Sequence, residues 1–242
     1  MKHSWLAILA CIPLFAAAAD NDISKVNGAI HVAAGEHVGD VDTVNGSIHI
    51  EADATAEDVD TVNGSIQIED GTTVASIETV NGGIKLGQRV KAHSIETVNG
   101  GMRIGEGSQI ESEVSAVNGG IALGKDVDVS GKLSTVNGRI TLENAHVGGG
   151  LKTVNGDISI GAGSRVEGGI LVEKPSFSLL NWNRKTPQIV IGPGAVVEGT
   201  LKFEHEVDLY ISNSAKTGHI EGAKPVMFSG DSPKDSKMQV EK

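Results

Sequence analysis

The stretch that decides the fold is Val59-Asp60-Thr61-Val62-Asn63-Gly64-Ser65-Ile66-Gln67-Ile68, where a Val-Asn-Gly triplet separates two alternating apolar runs. The triplet occurs eight times, at intervals of 18 or 19 residues. The eight copies begin at Val26, Val44, Val62, Val80, Val98, Val117, Val136 and Val154. Self-similarity at a short fixed period is typical of repeat proteins, in which each unit stacks on its neighbours.

Aliphatic residues recur at positions 1, 7 and 13 of the repeat, counted from the valine of the triplet. Position 7 holds Val32, Ile50, Ile68, Leu86, Ile104, Leu123, Leu142 and Ile160. Position 13 holds Val38, Ala56, Val74, Ala92, Ile110, Val129 and Val166, with Gly148 interrupting the column. Positions six apart divide each copy into three similar sides around a common axis. The sequence therefore predicts an all-β, single-stranded parallel β-solenoid with coils of about 18 residues.

An antiparallel meander is the alternative fold, because Asn-Gly between alternating apolar runs is also a strong hairpin signal. Hairpin loops vary in length, whereas all seven intervals between the copies are 18 or 19 residues. This constancy favours the stacking of like on like.

The asparagines of the triplets predict a second regular feature. If the coils stack, each side-chain amide can donate to the next, and we expect an internal asparagine ladder of the kind found in cross-β stacks. We expect the glycine that follows to adopt a positive φ at the corner. The ladder residues are Asn27, Asn45, Asn63, Asn81, Asn99, Asn118, Asn137 and Asn155.

The N-terminus is typical of a secretory signal peptide. It has a charged start, an apolar stretch from Trp5 to Phe15 and an Ala-x-Ala motif before Asp20. The apolar stretch is shorter than the about 20 residues that span a bilayer, so we expect no membrane span. The only cysteine, Cys11, lies in this segment, and lipidation there is a minor alternative. We therefore expect an exported protein, located in the periplasm, on the cell surface or secreted.

The predicted organisation has five segments: a signal peptide at 1–19, the Val-Asn-Gly solenoid at 20–172, an inserted loop at 173–188, C-terminal solenoid coils at 189–223 and a flexible tail at 224–242. The inserted loop concentrates large apolar residues in a chain that is only 3% aromatic. One interpretation is that it packs on the solenoid. The other is that Phe177, Leu180 and Trp182 form a contact for a partner or a sugar.

The repeated pattern Glu/Asp-Thr-Val-Asn-Gly-x-Ile-x-Ile over residues 24–172 resembles that of the bacterial toastrack-type adhesin family of exported β-solenoid proteins. This resemblance implies an envelope or surface location and no particular chemistry. The segment 189–203 is similar to coils of bactofilin-like polymer-forming solenoids, which implies that such rods associate end to end. Bactofilins lack a secretory signal, so the resemblance does not extend to a cytoskeletal role.

Charged residues also form columns. Asp42, Asp60, Glu78 and Glu96 recur once per coil, each directly before the threonine that precedes a Val-Asn-Gly triplet. We interpret them as a solvated face, with divalent-cation binding as the alternative, although Ca²⁺ requires six to eight converging oxygens. His31 and His49 fall on neighbouring coils and are too few for a convincing metal site. We expect no metal and no cofactor.

The net charge of −11 argues against nucleic acid as a partner. No unique, non-repeated catalytic constellation stands out. We therefore predict a non-enzymatic structural or adhesin-like envelope protein that presents a regular surface to itself, end to end or laterally, or to envelope and surface polymers or proteins. The alternative is a glycan-binding or glycan-active solenoid that uses the 173–188 insertion.

Overall fold

A computed structural model describes residues 21–175 and 186–233. In these ranges the regular elements are strands, and every strand pairing is parallel. Strands one coil apart in the sequence lie side by side, as Ile66–Ile68 does with Ile84–Leu86. The predicted parallel β-solenoid is thus confirmed, and the antiparallel meander is excluded. No helix in the described parts of the chain is long and apolar enough to cross a membrane.

The strands, in chain order, are β1 Ile23–Asn27, β2 Ile30–Val32, β3 Val41–Asn45, β4 Ile48–Ile50, β5 Thr55–Asn63, β6 Ile66–Ile68, β7 Thr73–Asn81, β8 Ile84–Leu86, β9 Lys91–Asn99, β10 Met102–Ile104, β11 Gln109–Ile110, β12 Val114–Asn118, β13 Ile121–Leu123, β14 Asp128–Val129, β15 Leu133–Asn137, β16 Ile140–Leu142, β17 His146–Val147, β18 Leu151–Thr153, β19 Ile158–Ile160, β20 Arg165–Val166, β21 Ile170–Val172, β22 Gln188–Ile191, β23 Val196–Val197, β24 Leu201–Phe203, β25 Asp208–Ser212, β26 Lys216–Thr217, β27 Ile220–Glu221 and β28 Val226–Phe228.

Each coil presents three faces. Face 1 is an 11-stranded sheet that contains β2, β4, β6, β8, β10, β13, β16, β19, β22, β25 and β28. The other two faces belong to one 17-stranded sheet. Face 2 contains β11, β14, β17, β20, β23 and β26, and face 3 contains β1, β3, β12, β15, β18, β21, β24 and β27. The longer strands β5, β7 and β9 run across both faces 2 and 3. Eleven strands on face 1 indicate about as many coils, or a rod roughly 50 Å long.

The core is a narrow column of branched aliphatic side chains directed inward from all three faces. Ile66 and Ile68 from face 1, Val74 from face 2 and Ile77 from face 3 are all at most 2% exposed. Because each coil covers only the one above and the one below, stability is distributed along the rod and not held in one centre.

The predicted inward role of position 1 is wrong. The strand Thr55–Asn63 alternates, so Val59 and Thr61 face inward while Asp60 and Val62 face outward. The valine of the triplet is therefore half-buried on the outer surface, and Val26 in the first coil is 67% exposed. On this face the inward positions are 16 and 18, the second of which is usually threonine.

The gap predicted at Gly148 does not exist. Val147 takes the inward place, fully buried and in register with Val129 and Val166. The turn before face 2 is one residue shorter in this copy, since Val147 follows Leu142 by five positions whereas Val129 follows Leu123 by six. The corner after face 2 has the same length as in the neighbouring copies, and its Gly149 packs closely, because a Cβ atom there would lie 2.5 Å from the carbonyl carbon of Gly131.

The stack continues through the insertion and past the predicted end of the solenoid. On either side of the loop, β19 pairs with β22 and β21 pairs with β24. The final strand, Val226–Phe228, pairs with β25 in the region predicted as a flexible tail, so that prediction starts the tail too early. The predicted signal peptide at 1–19 and the last residues of the predicted tail, 234–242, lie outside the described residues.

Candidate functional site

The asparagine ladder is confirmed as a continuous chain of hydrogen bonds along one corner. The Nδ2 atom of Asn63 donates to the Oδ1 atom of Asn45 at 2.9 Å, and Asn81 donates to Asn63 at 3.0 Å. Seven such bonds of 2.9–3.1 Å join Asn27 to Asn155. All eight asparagines are exposed, so the ladder is external and not internal as predicted. It lies at the corner where the chain leaves face 3 for face 1.

The glycine beside each asparagine allows the coils to approach closely. A Cβ atom on Gly64 would lie 1.9 Å from the carbonyl oxygen of Gly46, and one on Gly82 would lie 1.8 Å from that of Gly64. Of the eight glycines in the triplets, only Gly28 has a positive φ. The predicted reason for glycine at this corner is therefore wrong for the stacked copies: the requirement is space between backbones.

Threonine hydroxyl groups anchor the same corner from inside. Thr79 is 4% exposed, and its Oγ1 atom donates to the carbonyl oxygen of Gly64 at 3.1 Å. Thr97 donates to Gly82 at 3.1 Å in the next coil. A buried hydroxyl is tolerated here because it has a hydrogen-bond acceptor.

The acidic column, defined as Asp42, Asp60, Glu78 and Glu96, lies on the outside of face 3 with its members in direct register. Burial raises the pKa of Asp60 to about 7, and the nearby charges of Glu78 and Asp42 add to this effect. The Oδ1 atom of Asp60 is buried without a hydrogen-bond partner. Burial also raises the pKa of Asp42 and of Glu96. Each carboxylate thus lacks a compensating positive charge within its own column.

At the beginning of face 1, histidine side chains lie beside glutamates. The Nε2 atom of His31 lies 3.0 Å from an oxygen of Glu51, and that of His49 lies 3.4 Å from an oxygen of Glu69. The two imidazole rings stack edge to face with centroids 5.2 Å apart. Across the described ranges, no group of three or more His, Cys, Asp or Glu side chains is arranged to hold a metal ion.

Sequence reasoning missed a shallow open depression in the middle of face 1, here called the glycine trough. Its volume is about 570 Å³. Its floor is formed by Gly83, Gly101 and Gly120, and Lys85 and Arg103 flank it. These two cations have no ion-pair partner among residues 21–175 and 186–233. The available signal was the doubled glycine of three consecutive triplets, followed two residues later by a cation in the first two of them.

Arg139 closes one end of the trough. It occupies the same position of the repeat as Gly83, three coils later. Its Nη2 atom forms a salt bridge with the Oδ2 atom of Asp157 at 3.0 Å. The trough is thus an elongated channel parallel to the solenoid axis, with two uncompensated cations beside it.

The predicted contact residues Phe177, Leu180 and Trp182 lie outside the described residues, so the role of the 173–188 insertion stays a prediction. The flanking segments rejoin the stack in register.

No protein-family model matches the chain, and neither a curated protein nor a solved structure matches it.

Proposed function

We propose that this chain is an exported, non-enzymatic structural protein of the cell envelope, adhesin-like in that it acts through its outer surface. The observation that carries the proposal is the register itself. Like side chains lie one above another on face 3 for coil after coil, as Asp60 and Glu78 do. Such a rod offers an extended, periodic surface, which suits contacts with a partner along its length.

The placement of the titratable groups supports a scaffold role. The carboxyl group with the most perturbed pKa, that of Asp60, belongs to the acidic column and has carboxylates above and below it. Perturbed groups at catalytic sites usually lie in a cleft beside a base or nucleophile of different chemistry. Here the pKa of Asp60 is raised chiefly by burial, and the like charges stacked above and below add to that effect.

Export is supported by the signal-peptide pattern in residues 1–19 and by the resemblance to toastrack-type adhesins. The candidate locations of the protein are the periplasm, the cell surface and the external medium. Partners in this view are other copies of the chain or polymers and proteins of the envelope.

The test is fractionation of the producing cell combined with crosslinking in place. We expect the full chain in the periplasm, at the surface or in the medium, and we expect lysine-reactive crosslinkers to yield discrete higher-mass species. A variant without residues 1–19 is the matched control and should stay in the cytoplasm. Retention of the full chain in the cytoplasm would overturn the export proposal, and a chain that forms no crosslinked species would overturn the scaffold role.

A further inference from the structure

The glycine trough carries uncompensated positive charge in a chain of net charge −11. Arg103 lies in register with Lys85, so the two cations are one strand apart on face 1. In earlier coils the next outward position holds Glu51 or Glu69, which pair with histidines. Each histidine pairs with the glutamate of the following coil. The corresponding residues for Lys85 and Arg103 are Gly105 and Gly124, so these two cations have no acidic neighbour at that position. Their charge is available to a partner.

The central glycine of the floor, Gly101, is not required by the backbone, whereas a Cβ atom on Gly83 or Gly120 would lie 3.2 or 3.0 Å from a backbone oxygen, a tight contact. A Cβ atom on Gly101 would lie 3.5 Å from the nearest atom, the carbonyl oxygen of Gly120, which is ordinary contact. Earlier coils hold Ser47 and Ser65 at the same position of the repeat. By contrast, a Cβ on Gly100 would lie 1.8 Å from backbone. At Gly101 the trough is therefore open although the packing there would accept a side chain.

Face 3 carries a surface of complementary shape and charge. The carboxylates of Glu78 and Glu96 form one outward column, and the half-buried valines Val80 and Val98 form the adjacent outward column. Within each strand the carboxylate and the valine are two residues apart, or about 6.6 Å. Glycine and cation in the trough are also two residues apart. Both surfaces repeat once per coil, about every 4.8 Å.

We propose that the glycine trough of one copy binds the acidic column and adjoining valines of a second copy, with the two solenoid axes parallel. This rests on the proposed function and names its partner, a second copy of the same chain. Valine ridges fill the glycine floor, while Glu78 and Glu96 face Lys85 and Arg103.

The direction of the chain selects the parallel arrangement. The chain winds one way around its axis, so it crosses every face in the same sense. Two faces that meet with parallel axes therefore run in opposite directions across the contact. On face 3 the order is carboxylate then valine, and on face 1 it is glycine then cation. Parallel axes thus bring carboxylate to cation and valine to glycine, whereas antiparallel axes bring valine to cation.

A second copy fits the trough better than an unrelated anionic polymer because its charges have the same period by construction. The contact uses two different faces, so it is heterologous, and successive copies can add laterally without limit or close into a ring. Because its charged contacts are exposed, we expect association to weaken as salt rises.

The test is analytical ultracentrifugation of the full chain over a range of concentrations at low salt. The variants Lys85→Gln/Arg103→Gln and Glu78→Gln/Glu96→Gln each disable one face. We expect wild type to form concentration-dependent oligomers and each double variant to stay monomeric. An equal mixture of the two variants retains one competent face on each chain, so it should form dimers and stop there. A growing mixture, or one that stays monomeric, overturns the proposal.

Two controls separate charge from shape and from fold. Lys91→Gln/Lys125→Gln removes two exposed cations outside the trough and should associate like wild type. Gly101→Val fills the floor without a change of charge and should weaken association at least tenfold while the melting temperature stays unchanged. If Lys85→Gln/Arg103→Gln associates like wild type, this contact is wrong, although a scaffold role through another surface stands. If that variant loses retention on polygalacturonate but still associates, the trough binds an anionic polymer and the self-contact is overturned.

Discussion

The Oγ1 atom of Thr61 donates a 2.9 Å hydrogen bond to the carbonyl oxygen of Gly46, in the corner of the preceding coil. Thr61 is 4% exposed, so this bond is made inside the solenoid, while the asparagines of the same corner bond to one another outside. The corner is therefore held from both sides. Inner and outer bonds each join one coil to the next, which suits a fold stabilised through nearest neighbours.

Thr61→Val tests the inner bond. Valine matches threonine in shape but leaves the Gly46 carbonyl without this donor, and we expect unfolding free energy to fall by about 1–3 kcal/mol. Urea denaturation followed by circular dichroism measures the change. Thr73→Val, on the exposed side of β7, should change stability by less than about 0.5 kcal/mol. Equal losses in the two variants would show that the hydroxyl bond is not the cause.

Asn81→Ala tests the outer ladder. It removes one donated bond, to Asn63, and one accepted bond, from Asn99. Because water can replace both at an exposed corner, we expect a loss of only about 0.5–1.5 kcal/mol in unfolding free energy. Asn27→Ala, at the end of the ladder, removes only the bond accepted from Asn45 and should cost less. A loss well above 3 kcal/mol at Asn81 would contradict an exposed ladder.

The substitutions Gly82→Ala and Gly101→Ala each add one methyl group, and they differ in which atoms that methyl group meets. The methyl at Gly82 would lie 1.8 Å from the carbonyl oxygen of Gly64, so neighbouring coils must separate. We expect a loss of about 3 kcal/mol or more, since backbone cannot move aside as a side chain can. At Gly101 the nearest atom is 3.5 Å away and the loss should stay within about 0.5 kcal/mol. Comparable melting temperatures for the two variants would refute the close-stacking explanation.

The repeat period predicted the fold because a strand in a parallel stack meets its own equivalent one coil later. The same reasoning predicted the asparagine ladder, since Asn63 and Asn81 must be neighbours once the coils stack in register. It could not decide which side of the strand faces the core. Thr61 and Val62 are adjacent, and hydrophobicity alone favours valine as the inward residue. The acceptor at Gly46 reverses that choice, and only the folded corner reveals it.

The glycine trough was missed for a related reason. Gly82 and Gly83 are indistinguishable in sequence, yet a Cβ on the first meets backbone at 1.8 Å and one on the second meets it at 3.2 Å. The same residue type is structural at one position and leaves a surface open at the next. Charge pairing also depends on the coil. His31 and His49 pair with the glutamate one coil later, whereas the corresponding residue for Lys85 is Gly105, and Lys85 has no ion-pair partner in the described ranges.

Acidification is expected to stabilise the solenoid. The pKa of Asp60 is raised in the folded protein to about 7, chiefly by burial and also by Glu78 and Asp42 on the adjoining strands. An unfolded aspartate has a pKa of about 3.9. Between these values the folded state binds more protons than the unfolded state, so stability falls as pH rises through this window. His146, whose pKa is raised mainly by its hydrogen bond to Asp128, acts in the same direction.

In the wild type both Asp60 and His146 raise stability at low pH. Asp60→Asn separates the contribution of the Asp60 carboxyl group from that of His146. The amide carries no charge at any pH, so the variant should melt higher than wild type at pH 8, on the order of 2–4 °C or more. At pH 4 the two should differ little, since Asp60 is already neutral in the folded wild type. Glu143→Gln removes one exposed carboxylate elsewhere and controls for net charge. Equal gains at pH 8 from both substitutions would assign the effect to overall repulsion, and the environment of Asp60 would then not be its source.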